Sequence, residues 1–154
     1  MKSSQAEKII EKINLAIKDI NSFPNVSDLE KSYLAKFLVV FICGIYEEVI
    51  ETIVNERASK CGDSEISNYI KKSLDKTFRN PDMVNIKGLL GRFNNNWKSE
   101  IDKLPQIAQT AINNIVNDKN SLAHGNNVIL TLQDTIQYYN DSLIVINKID
   151  DIIL

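Results

Sequence analysis

One stretch constrains this chain more than any other. Leu34, Phe37, Leu38, Phe41, Ile42, Ile45, Val49 and Ile53 recur at three- and four-residue spacing, and further apolar residues fill the gaps between them. A helix that is apolar nearly all round must be covered by other elements, so the spacing predicts a central helix. Ser27-Asp28-Leu29-Glu30 reads as a capping box that opens it, the serine capping the backbone and the glutamate reaching back. Cys61-Gly62-Asp63 stops it just past Lys60. The chain has 154 residues, enough to wrap one such core but not two, so 1–154 is expected to be a single domain. Only 5 Gly and 3 Pro punctuate it, too few for the frequent turns of a β-sandwich or barrel. The expected fold is therefore all-α, an up-and-down helical bundle.

The covering helices can be placed the same way. Ile9, Ile10, Ile13, Ile17 and Ile20 put an apolar stripe on a helix from Ser4 to Asn21, broken by Phe23-Pro24-Asn25. Shorter helices are expected over Ser64 to Phe78, Asp82 to Phe93 and Trp97 to Leu104, with Asn80 as N-cap and Pro81 as first residue of the middle one. Pro105 opens a helix that carries Ile107, Ala108, Ala111, Ile112, Ile115 and Val116 and ends near His124, before Gly125. Thr131-Leu132-Gln133-Asp134, a second capping box, starts the last helix, which runs to the end of the sequence.

Several function classes are disfavoured by composition. Eighteen Lys+Arg against 20 Asp+Glu give a formal charge of -2, so no global basic field exists and any nucleic-acid contact must be local. The two cysteines, Cys43 and Cys61, stand far apart and there is a single histidine, so no structural metal and no cofactor is expected. The charged start of the sequence lacks the apolar stretch of a secretory signal, and Phe37 to Ile45 is about half of the ~20 residues needed to span a bilayer. The expectation is a cytoplasmic protein with reduced thiols and no membrane contact.

Polar residues interrupt the apolar period in one place, Asn117 to His124. At about 100° per residue, His124 points away from the apolar arc, with Asn113, Asn117 and Asn120 close to it and Ser121 on its flank. Asp118 and Lys119 fall inside that arc, where an unpaired charge is costly. Either the helix is distorted there or Lys119 has a carboxylate partner. Glu47, directly after the most apolar part of the central helix, is the expected partner, with Glu48 and Glu51 as alternatives.

Lys119-Asn120-Ser121-Leu122-Ala123-His124-Gly125 resembles the signature of HEPN domains, in which Arg is followed after four to six residues by His, often as R-N-x-x-A-H-G. The order of parts is similar to the RiboL-PSP subgroup: a long second helix with Tyr46-Glu47, then Gly91-Arg92-Phe93 and Trp97, then the motif helix and a closing helix. Lys119 stands where the family has Arg, and no Tyr follows the His. The resemblance implies a metal-independent RNA endonuclease acting as a homodimer and leaving a 2′,3′-cyclic phosphate. His124 would move protons, Lys119 would steady phosphoryl charge, and Asn120 would orient the imidazole or bond the phosphate. Glu47 would complete the catalytic group. Ser121, Asn117, Arg92 and Lys98 are weaker RNA-binding candidates, with Lys87 and Lys103 as further members of a basic rim. The resemblance also implies a toxin or anti-phage effector with an antitoxin or other protein partner. A module that lost cleavage with its Arg and now binds RNA, nucleotide or protein is the alternative. A helical scaffold in which the string is coincidental is the third.

Overall fold

Two capping boxes set the frame. Ser27 Oγ accepts the Glu30 N–H while the Glu30 carboxylate accepts the Ser27 N–H, and Thr131 and Asp134 repeat the exchange. The computed structural model describes all of residues 1–154. Its seven helices are α1 (Ser4–Ser22), α2 (Asp28–Ser59), α3 (Ser64–Thr77), α4 (Met83–Phe93), α5 (Asn95–Asp102), α6 (Gln106–Ala123) and α7 (Leu132–Ile153), and there is no strand. The fold is all-α, as the periodicity predicts. No helix is long and apolar enough to cross a membrane.

The four long helices alternate in direction around α2. Ser3 Oγ donates to Glu56 at 2.7 Å and Lys12 pairs with Glu48 at 3.2 Å, which sets α1 antiparallel to α2. Tyr139 Oη donates to Asn14 at 2.7 Å and the buried Asp150 accepts the Ser3 N–H at 3.0 Å, so α7 is antiparallel to α1. Asp150 also accepts the Lys2 N–H, clasping the start of α1 to the end of α7. The Tyr46 and Ser142 hydroxyls meet at 2.7 Å over the Tyr139 carbonyl, deep between α2 and α7, where burial raises the Tyr46 phenol above its usual range. One core of 33 buried residues joins all of this, with α2 supplying Leu38, Val39, Ile42, Cys43, Val49, Ile50 and Ile53.

The fold departs from expectation in three places. Coverage of α2 is incomplete, because Leu29, Tyr33, Phe37 and Val40 remain exposed, with Phe37 stacked on Phe41 at 5.7 Å between ring centroids. α5 begins at Asn95, capped by Asn94, and ends at Asp102, so it lies two residues earlier at each end than the expected Trp97 to Leu104. Asn80 and Pro81 lie outside α4 altogether. Asp82 caps that helix through Asn85 N–H, while Asn80 takes a left-handed backbone (φ 54 at Asn25 and 53 at Asn80 are the two such non-glycine positions). Asparagine tolerates that region better than most side chains, so the Asn-Pro pair makes a turn here and not a helix start.

Candidate functional site

Helix α6 is regular from Gln106 through Ala123. Ile112, Ile115 and Val116 are buried on its inner face, and the next position on that stripe, one turn later, is Lys119. Lys119 is half-buried. Its Nζ donates to Asn80 Oδ1 at 2.7 Å and, more weakly, to Asn120 Oδ1 at 3.5 Å. The same Asn80 donates its backbone N–H to Glu47 Oε1 at 2.8 Å. The predicted Glu47–Lys119 ion pair is therefore corrected to a three-part link, in which Asn80 stands between the two charges and holds both. Its left-handed backbone accompanies an amide bonded to α2 and a side chain bonded to α6. The helix is not distorted, so of the two ways to accommodate Lys119 the structure uses a polar partner, and that partner is an amide.

The surroundings keep this knot half-wet. Cys43, one turn before Glu47 on α2, is buried beside it, and burial pushes its thiol up to about 12 against the pull of the Lys119 charge. Such a thiol is packing, not a nucleophile. Glu51, a turn past Glu47, is held above the usual carboxylate range by burial, with Arg79 at 3.3 Å working in the other direction. Asn85 ties the turn together by donating to the carbonyls of Arg79 and Asn80 at 3.2 and 2.9 Å. Asp118, on the side of α6 that faces α7, is raised by burial and makes no ion pair; its charge in turn raises the nearby Tyr138 phenol, for which burial is the larger cause.

His124 lies at the C-cap of α6, with its N–H on the Asn120 carbonyl at 3.1 Å. The chain then reverses. Gly125, at φ 75, donates to the Leu122 carbonyl and Asn126 to the Ser121 carbonyl, both at 3.0 Å. This pair of bonds is a Schellman closure, and it needs a left-handed residue where Gly125 stands. Lys36 Nζ reaches Asn127 Oδ1 at 3.4 Å and ties the reversal to α2. The imidazole is exposed and has no hydrogen-bond partner within the chain. It lies five residues beyond Lys119, about 140° around the helix.

The candidates named from sequence therefore divide. Glu47, Lys119 and Asn120 come together. His124 and Asn117 stay on the open side, with Ser121 half-buried between. Asn113, expected in the polar stripe, instead accepts the Met83 N–H at 2.9 Å and anchors the start of α4. Arg92 and Lys98 are not at this site. Met83 lies against Asn113, and Lys87 Nζ donates to Gln109 at 3.2 Å, so α4 runs antiparallel to α6 and carries Arg92 on the order of 20 Å along α6 from Lys119. Lys87 is spent on Asp102 at 2.6 Å, and Lys103 on Glu100. Asn80 is the residue that sequence reasoning misses. Its signal, an asparagine before proline, reads equally as a helix cap. No group of three His, Cys, Asp or Glu side chains is placed to hold a metal ion.

A family model described as RiboL-PSP-HEPN matches residues 3–154, essentially the whole chain. The chain belongs to the RiboL-PSP-HEPN family. No curated protein and no solved structure matches it. Membership points to RNA, cleaved or bound, as the class of function. In this HEPN chain the stretch that resembles the family's motif, Lys119 to Gly125, spans the last turn of α6 and its C-terminal reversal, with Lys119 turned inward to Asn80 and His124 turned outward.

Proposed function

We propose that this HEPN chain is a metal-independent endoribonuclease, residues 1–154 acting as one unit. The observation that carries the reading is the state of Lys119. Its ammonium is held by two amide oxygens and no carboxylate, so its positive charge is positioned yet still available to a phosphate. In the reaction, the ribose 2′-oxygen attacks the adjacent phosphorus and the bond to the 5′-oxygen breaks. One proton leaves the 2′-hydroxyl and one reaches the departing 5′-oxygen, giving a 2′,3′-cyclic phosphate and a free hydroxyl. An imidazole has one nitrogen that can accept a proton and one that can donate, which suits it to either transfer. Lys119 steadies the phosphoryl oxygens as a point charge, without the fork of Arg. Asn120, whose side-chain oxygen meets Lys119 and not the imidazole in the free chain, bonds the phosphate. Glu47 keeps Asn80, and through it Lys119, in place. One histidine per chain serves one proton at a time, so the working form is a homodimer with two exposed His124 side chains facing a shared cleft.

The test is incubation of the purified protein with an oligoribonucleotide in EDTA. Cleavage to cyclic-phosphate ends, lost in His124→Ala, is the expected result. Cleavage that survives His124→Ala, or that requires Mg²⁺, rejects this mechanism. Growth arrest on expression of wild type but not of His124→Ala is expected for the toxin or defence role, with a partner protein restraining the enzyme. One observation favours the second reading, a module that binds RNA, nucleotide or protein without cutting: a lysine stands where the family's arginine would, on a different face of α6 from the histidine. Tight binding of RNA with no cleavage at any enzyme concentration would establish it.

A further inference from the structure

Charge is unevenly spread along this chain. Between Tyr69 and Lys98 stand seven basic residues and two acidic ones, whereas the rest of the sequence is acidic on balance. That segment forms the second half of α3, all of α4 and the start of α5. It encloses a groove of about 280 Å³ with Tyr69, Ser73 and Thr77 on one wall and Arg92 and Phe93 on the other. Tyr69 is 75% exposed and Phe93 43%. Arg92, Lys72 and Lys76 have no carboxylate in ion-pair contact, unlike Lys87 and Lys103 farther along. The Lys98 stem crosses α4 beside Arg92, close enough that a Cβ on Gly91 would lie 3.6 Å from its Cδ.

Exposed rings beside unpaired cations are what an unpaired nucleotide requires, because every base has a face to stack and every phosphate a charge to meet. A basic segment in an acidic chain also fits a polyanion better than an apolar protein partner. We propose that the α3–α4 groove is a binding site for one unpaired nucleotide of RNA, its base stacked on Tyr69 and Phe93 and its phosphate met by Arg92. The proposal rests on RNA being the ligand of the Lys119 site and adds where the strand runs. Thr77, at the near end of the groove, precedes Asn80 by three residues. Tyr69, at the far end, lies about 12 Å farther along α3 at ~1.5 Å per residue. The stacked base therefore belongs to a nucleotide several positions from the bond at Lys119, and Arg92 and Lys98 act on RNA at this remote site.

Trp97, the chain's one tryptophan, stands 6.2 Å from the Phe93 ring and reports on the groove. The probe is a single-stranded 2′-O-methyl oligoribonucleotide, which cannot be cut because its 2′-oxygens are blocked. Titration of the dimer or monomer as purified should quench Trp97 fluorescence, and the same sequence as a duplex should not. Tyr69→Ala should weaken binding by about 5- to 150-fold, and Tyr69→Phe should restore it. Arg92→Ala should weaken binding and flatten its salt dependence. Neither site is buried, so melting temperatures should not move. If the probe binds wild type and Tyr69→Ala equally, without quenching, the groove is not the site, although RNA remains the ligand. If wild type neither binds the probe nor cleaves unmodified RNA, the RNA reading fails and this one with it.

Discussion

The two ends of the family motif are built in opposite ways. Lys119 is half-buried and held by Asn80, which also holds Glu47, so its position is fixed by three elements at once. His124 sits five residues farther on, at the C-cap of the same helix, exposed, and is fixed only through its backbone. One end is thus preorganised by the fold and the other is left free. On the proposed function the fixed charge meets a phosphate, and RNA or a second copy of the chain supplies what orients the imidazole.

Four measurements break or sharpen this contrast. The largest effect is expected at the free end. His124→Ala should lower cleavage by about 10² to 10⁴ while leaving the melting temperature unchanged, because the imidazole has no partner to lose. A loss of stability together with activity would mean that the histidine is structural after all. At the fixed end the pattern should invert. Asn80→Ala removes the Lys119 acceptor and puts alanine into a left-handed backbone, and should destabilise by about 1–3 kcal/mol as well as slow cleavage. Asn80→Gly, which suits the backbone but lacks the amide, should recover part of the stability and none of the activity. If it recovers both, the link from Asn80 to Lys119 is incidental.

How far the sequence foretold these two ends follows from the physics of each. Helix periodicity and two capping boxes are local, and α1, α2, α6 and α7 begin within a residue of where those signals put them. The inward phase of Lys119 is equally local, and it required a polar partner on α2 or nearby. That the partner is the Asn80 amide depends on how the turn after α3 packs between α2 and α6, an encounter of residues 39 apart that no periodicity encodes. The exposed stripe of α2 from Leu29 to Val40 escaped for the same reason, since an all-round apolar helix does not reveal which side its neighbours leave bare.

Smaller effects come next. Lys119→Arg, which restores the fork, should change the cleavage rate by up to about tenfold, or about 1.4 kcal/mol of transition-state stabilisation. An inert wild type awakened by this one change would mark the site as decayed at that position alone. The smallest effect belongs to Asp118. Burial raises its carboxyl above the ordinary value of 3.8, so its contribution to stability is full when it is protonated and is lost as pH rises through the raised value. Asp118→Asn should therefore melt slightly higher than wild type at neutral pH, with the two curves converging in acid. A gap that is constant across pH would assign the change to packing.

The clasp between Asp150 and the amides of Lys2 and Ser3 has a consequence for how the molecule comes into being. It joins positions separated by 147 and 148 residues, so the ends of the first and last helices are fixed to each other only after everything between them has been made. Synthesis delivers α1 and α2 early, but α2's face for α7 stays bare and α1 stays unfastened until α7 has been made and has cleared the exit tunnel. The motif helix waits too, because α7 covers one of its sides. The Lys119 knot therefore reaches its final surroundings only after the whole of α7 has emerged.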